Sequence, residues 1–203
     1  MRSLLLPPPR DLHRQPLSTV SVDPCGLWRV SRFAHGEPHV GRSAANRFDD
    51  PHRTVKRRFG TCYLGCSLEV ALAETLLHDE MPQRGRFKVA ASEVEGRCCW
   101  SFRGAVLQLA DLTGVAAKAL VGSGAISTVM PYDLPQRWSR ALQAHPAGVD
   151  GLVYMSRHVN DTRAVVLFDR ARHKLQQGHC SRLVDTPEAL HALANLRVSI
   201  DFV

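Results

Sequence analysis

The stretch at 63–79, YLGCSLEVALAETLLHD, sets the tightest limit on what this chain can become. Its middle, 68–77, reads as a helix. Ser67 suits the N-cap, because its hydroxyl can accept a hydrogen bond from an orphan amide of the first turn. Glu69 falls in that turn, where the helix dipole favours an anion. His78 ends the run, and Pro82 forbids much continuation. Val70, Ala71, Leu72, Ala73, Leu76 and Leu77 leave no polar stripe, and a helix that is apolar all round belongs in an interior. Glu74 nevertheless sits in its middle, beside Val70, Ala71 and Leu77. A buried, unpaired carboxylate is costly or is forced to protonate. Glu74 therefore lines a polar cleft or meets a cation inside.

The rest of the chain can supply such an interior. It has 203 residues, 44% of them hydrophobic and 22% charged, which predicts one globular domain with its own core. A net charge of +7 admits an anionic partner: nucleic acid, a phosphorylated small molecule or an acidic protein. A solvated basic surface is the blander account. No run approaches the ~20 apolar residues of a membrane helix. The opening MRSLLLPPPR has too short an apolar run for a signal-peptide core. The expectation is a cytoplasmic protein with reduced thiols. Of the six cysteines, Cys62 and Cys66 are spaced C-x3-C, and Cys98 adjoins Cys99. Neither pair comes with a second pair at zinc-site spacing, so small buried hydrophobes are the reading and no metal is expected.

Along the chain, 1–24 is Pro-rich and reads as an irregular N-terminal arm, with a single domain over 25–203. Segment 26–33 reads as a short strand. Segment 35–60 is a long charged loop, and such loops inside compact domains tend to be functional. Segment 61–66 is a strand feeding the helix. Segment 86–94 is β-rich, and 98–102 and 105–112 are further strands split by Gly104. A short helix at 114–122 precedes GSG, a plain turn at 122–124. Segment 133–145 is a helix, with Asp133 as N-cap and Gln136 placed as in a capping box. Segments 151–156 and 163–168 form a hairpin. A helix at 186–196 with a Thr186 cap and a strand at 197–203 close the chain. Strands and helices alternate without a βαβ rhythm, so the fold class is α+β, with mixed or antiparallel sheets and flanking helices.

No P-loop, dinucleotide fingerprint, zinc-protease or nucleophile-elbow motif is present. The residues that remain are Arg29 beside Trp28, Arg47 within NRFDDP, Tyr63 eleven residues before Glu74, and Ser156 followed by Arg157 and His158. In this order LWRVSR, NRFDDP, TCYLGCSLEVALAETLLHD and DGLVYMSRH…AVVLFD resemble a RES domain, over about 26–203. That family is named for an arginine, a glutamate and a serine. The resemblance implies a fold similar to ADP-ribosyltransferases, consumption of NAD, and a toxin role beside an Xre-type helix-turn-helix antitoxin. A homodimer is left open, and nucleic acid is reached only through the antitoxin. By motif match the arginine is Arg29 or Arg47, the glutamate Glu74 and the serine Ser156, with Tyr63 at the aromatic position before the helix. The arm and the basic run Lys56, Arg57 and Arg58 fall outside the pattern; a solvated patch is the reading for that run.

The chemistry of these residue types agrees. Cleaving the nicotinamide–ribose bond of NAD leaves an oxocarbenium-like sugar, which a nearby carboxylate such as Glu74 stabilises. Arg29 and Arg47 suit a pyrophosphate, because the planar guanidinium grips two oxygens. The Tyr63 ring can stack on a cationic nicotinamide. The Ser156 hydroxyl can hold the glutamate or a substrate arginine. Water, phosphate or a protein side chain could take the ribose; the last would make the chain an ADP-ribosyltransferase of a specific protein. A basic nucleic-acid-binding module is the rival of another class, with no helix-turn-helix pattern and only 6% aromatic residues to support it.

Overall fold

The computed structural model describes residues 5–201. Among the described residues ten strands and five α-helices form: β1 (Thr19–Val22), β2 (Trp28–Ser31), β3 (Thr61–Gly65), α1 (Leu68–Leu76), β4 (Phe87–Ala90), α2 (Ala91–Glu95), β5 (Cys98–Gly104), β6 (Leu107–Leu112), α3 (Gly114–Val121), α4 (Asp133–Gln143), β7 (Gly151–Met155), β8 (Arg163–Phe168), β9 (Leu175–Arg182), α5 (Pro187–Asn195) and β10 (Val198–Asp201). Eight strands make one sheet in the order β1-β6-β7-β8-β3-β2-β5-β9, while β10 and β4 pair separately and in parallel. Within the large sheet β6 and β7 run parallel, and the other neighbours are antiparallel. This is the expected α+β class, a mostly antiparallel sheet with flanking helices.

Chain length forces the sheet to curl. β5 ends at Gly104 and β6 starts at Leu107, yet four strands separate them in the sheet. Two linking residues span roughly 10 Å, so the two ends of the sheet must face each other. Gly104 makes the turn at φ +141, where an added Cβ would lie 2.0 Å from the Lys174 carbonyl oxygen. One face of the curled sheet packs on itself through Leu64, Trp100, Phe102, Leu107, Val153 and Val165. The other carries Leu112, Tyr154, Val166 and Phe168, covered by Ile126 and by Trp138 and Leu142 of α4. A third cluster joins Leu72 and Leu76 of α1 to Val89 and to Ala192 and Leu193 of α5.

α1 follows its sequence. The Ser67 hydroxyl accepts from the Val70 amide at 3.2 Å, Glu69 sits in the first turn, and Leu68, Val70, Ala71, Leu72, Ala73 and Leu76 are buried. The turn from β3 into α1 is so close that a Cβ on Gly65 would meet the Ala71 nitrogen at 2.6 Å.

Several expectations need correction. The N-terminal segment is built into the fold: Thr19–Val22 pairs with β6, Leu5 and Leu12 are buried, and Trp138 Nε1 donates to the Leu6 carbonyl at 2.7 Å. Prolines masked this, although TVSV carries the alternation of an edge strand. The run 86–94 turns from strand to helix at Ala91. Strand β9, LQQGHCSR, went unread because an exposed edge strand needs no apolar alternation. In α4 the N-cap is Tyr132, with Asp133 inside the first turn. Gln136 makes no capping box; its amide donates to the Ala44 and Asn46 carbonyls at 3.0 and 2.9 Å. Thr186 caps α5 by position, but its hydroxyl donates to the Arg182 carbonyl at 2.8 Å. Phe202 and Val203 of the expected last strand lie outside the described residues.

Candidate active site

A cleft of about 400 Å³ opens where β2 and β3 part. These neighbours share one backbone pair, Trp28 with Gly65. Beyond it Arg29 substitutes for the missing ladder: Nη1 donates to the Tyr63 carbonyl at 3.1 Å and approaches the Cys62 sulfur at 3.4 Å. Its Nε lies 2.9 Å from Oε2 of Glu37, whose side chain is shielded from solvent. Arg29 lines the cleft, but much of its guanidinium braces the divided sheet. Burial pushes the Cys62 thiol up to about 11, so it is a neutral thiol at pH 7 and no nucleophile.

Glu74 stands on the cleft wall, half-buried. Its Oε1 accepts the Ser156 hydroxyl proton at 2.7 Å. Ser156 is itself buried at the end of β7, and its oxygen accepts the His158 and Val159 amides, both at 3.2 Å. A hydroxyl has one proton and two lone pairs. With both lone pairs engaged by amides, the proton can only point at Glu74. Ser156 therefore lies behind the cleft wall and orients the glutamate, which leaves Oε2 to the open side.

Arg47 comes from the long loop and is buried. Nη1 donates to the Val129 carbonyl at 2.6 Å, and the guanidinium lies 4.6 Å over the Tyr132 ring. Nη2 is buried without a hydrogen-bond partner among the described residues. Burial pulls its pKa below the ordinary arginine value. A buried cation with an unmet donor is primed for an anionic oxygen.

Tyr63 lends a wall to the cleft, but its hydroxyl has a structural task. It accepts the Phe48 amide at 2.9 Å and donates to Asp49 at 3.1 Å. Asp49 also accepts from Thr61 at 2.6 Å, from Ser43 at 2.7 Å and from the Asn46 amide at 3.1 Å. Asp50 accepts from the His52 and Phe59 amides and pairs with Arg140 at 2.9 Å. The acidic pair of NRFDDP thus locks the loop that delivers Arg47. Arg58 is a brace as well, donating to the His52, Arg42 and Ser43 carbonyls at 2.6, 2.9 and 2.9 Å. This corrects the expectation of a solvated patch for that residue, while Lys56 and Arg57 are exposed.

Sequence reasoning missed part of the lining: Tyr132, Tyr154, Ser127, His78 and Arg157. Of these, Tyr154, Arg157 and His78 lie inside motifs already in view, whereas Ser127 and Tyr132 lie outside them. Glu74, His78 and His158 bring potential metal-ligand atoms within 4.8 Å of one another. The protein's own cation engages that set: Arg157 donates from Nε to His158 Nε2 at 2.9 Å, and its Nη2 meets His78 Nε2 at 3.3 Å. Burial lowers the His158 pKa below the ordinary imidazole value, against the pull of Glu74.

Fold and site together define an α+β protein whose divided, curled sheet holds a polar cleft built around one oriented carboxylate and several arginines. The chain belongs to the RES domain family, whose model matches residues 26–189. A curated relative, the probable toxin y4kH of Sinorhizobium fredii (strain NBRC 101917 / NGR234), is 31% identical over 103 residues, covering 50% of this chain and 80% of its own length. Among solved structures the chain is similar to one in the crystal structure of the M. tuberculosis MbcT–MbcA toxin–antitoxin complex. The TM-score is 0.57 at 17% identity, over 89% of this chain and 90% of that one. At that identity the likeness concerns the fold alone.

Proposed function

We propose that this chain is the toxin of a toxin–antitoxin pair and that it consumes NAD by breaking the nicotinamide–ribose bond. The observation that carries this reading is the Ser156-oriented carboxylate of Glu74 at the cleft wall. A carboxylate fixed beside C1 of the ribose stabilises the positive charge that builds as nicotinamide leaves with the bonding electron pair. An acceptor oxygen then bonds to C1 and loses its proton to solvent. Arg47 offers an unmet donor to the pyrophosphate, and the rings of Tyr63 and Tyr132 offer faces to the bases. The six cysteines are free thiols, in keeping with a cytoplasmic enzyme, where NAD is abundant. Among the described residues no helix is long and apolar enough to cross a membrane.

The partner is an antitoxin of the Xre type, whose helix-turn-helix would provide the contact with DNA. The net charge of +7 favours an acidic face on that partner. The test is nicotinamide release from NAD with product analysis. Glu74→Gln is expected to lower turnover by about a hundredfold or more. Unchanged turnover in that variant would remove Glu74 from the chemistry. Label from NAD appearing on a macromolecule would identify a protein acceptor; ribosyl products of low mass alone would identify water or phosphate.

A further inference from the structure

Arg157 lines the cleft between two histidines. Nη2 donates to the His78 carbonyl at 3.0 Å and meets His78 Nε2 at 3.3 Å, and Nε donates to His158 Nε2 at 2.9 Å. The two imidazoles flank it with their centroids 5.6 Å apart. Nη1 makes no hydrogen bond to the described residues, and the residue lines the cleft. A guanidinium has donors and no acceptor, so His158 Nε2 must present a lone pair. His158 is therefore neutral and carries its proton on Nδ1. His158 Nε2 cannot then donate to Glu74 Oε2, 3.9 Å away, and that oxygen stays free for substrate.

We propose that Arg157 is a substrate-binding residue for the pyrophosphate diester, held towards the cleft by His78 and His158 acting as hydrogen-bond acceptors. This rests on the reading of the cleft as a site for NAD. Protonating His158 turns its acceptor into a donor and sets a second positive charge against the guanidinium. The charged and titratable groups around the pair come from several elements. They are Glu74 of α1, Asp79 beside His78 at 3.9 Å, Arg47 of the long loop, and Tyr154 of β7. Burial holds the Tyr154 phenol well above its ordinary value, so it stays neutral. Glu74 favours the protonated imidazole at His158, whereas burial, Arg157, His78 and Arg47 oppose it. The arginine is thus anchored at neutral pH and released on the acid side.

The experiment measures the affinity for ADP-ribose, which has the pyrophosphate diester but no nicotinamide bond to cleave. That diester does not titrate between pH 5 and 8. Binding is followed by calorimetry for the full chain, Arg157→Met and His158→Gln, with circular dichroism as the check on folding. At pH 8, Arg157→Met is expected to bind at least about tenfold more weakly, the loss of one charge-assisted hydrogen-bonding group. The wild type should weaken similarly towards pH 5. His158→Gln keeps an acceptor that does not titrate; its affinity should vary with pH less steeply. A folded Arg157→Met that binds like the wild type overturns the proposal. So does a wild type that binds no ADP-ribose, or a His158→Gln variant with the full acid loss. Nicotinamide release by the wild type is scored separately. Absent release with intact, Arg157-dependent binding would refute NAD cleavage and leave this inference standing.

Discussion

At the scale of single residues, the site separates groups that face the cleft from groups that hold them in place. Glu74 faces the cleft, whereas Ser156 aims it from behind. Ser156→Ala removes the hydrogen bond to Oε1 and strands the His158 and Val159 amides. Turnover should fall less than in Glu74→Gln, and stability should fall by about 1–3 kcal/mol, read by urea denaturation. Tyr63 divides the same way within one side chain. Its ring is a cleft wall and its hydroxyl ties Phe48 to Asp49. Tyr63→Phe should lower the Tm by about 3–10 °C while keeping most of the NAD affinity. Tyr63→Ala should lose both, measured by thermal denaturation and by KM.

Among the elements, the parting of β2 from β3 matters most, because it makes the cleft. Arg29 and Glu37 form a nearly buried pair that holds the parted strands. Removing one partner of such a pair costs about 3–5 kcal/mol, while an apolar pair of similar volume is tolerated. Glu37→Gln should therefore destabilise strongly, and the double variant Arg29→Met, Glu37→Leu should recover part of the loss in denaturant unfolding. If Arg29 also grips phosphate, the recovered double variant will still show a raised KM for NAD; an unchanged KM would restrict it to bracing. Most elements were legible in the sequence, most sharply where a cap or a strong period marks them, as in α1 and in the β7–β8 hairpin with its apolar runs. Those missed, β1 and β9, are edge strands whose exposed faces need no apolar pattern.

For the molecule as a whole, the N-terminal segment closes one edge of the sheet. Deleting residues 1–24 would expose the edge of β6 and uncover Trp138 and its neighbours. An unpaired strand edge beside an open core invites aggregation. The truncated chain should give little soluble protein and a lower Tm, checked by expression yield and thermal denaturation. An irregular arm free of the core would leave both unchanged.

Local physics was enough to place Glu74. A carboxylate in the middle of an all-apolar helix must meet a cleft or a counter-charge, whatever the rest of the fold. Ser67, Glu69 and Gly65 likewise act within a few residues of themselves, so their roles follow from neighbours in the chain. What surrounds that carboxylate was decided only in three dimensions. Ser156 lies 82 positions away from it in the chain, and Val129, whose carbonyl holds Arg47, lies the same number of positions from Arg47. Whether an arginine braces strands, waits for an anion or leans on two imidazoles depends on which groups the curled sheet brings within about 3 Å of its nitrogens. No sequence spacing carries that distance, because the contacts join strands that the topology, and not the chain order, makes neighbours.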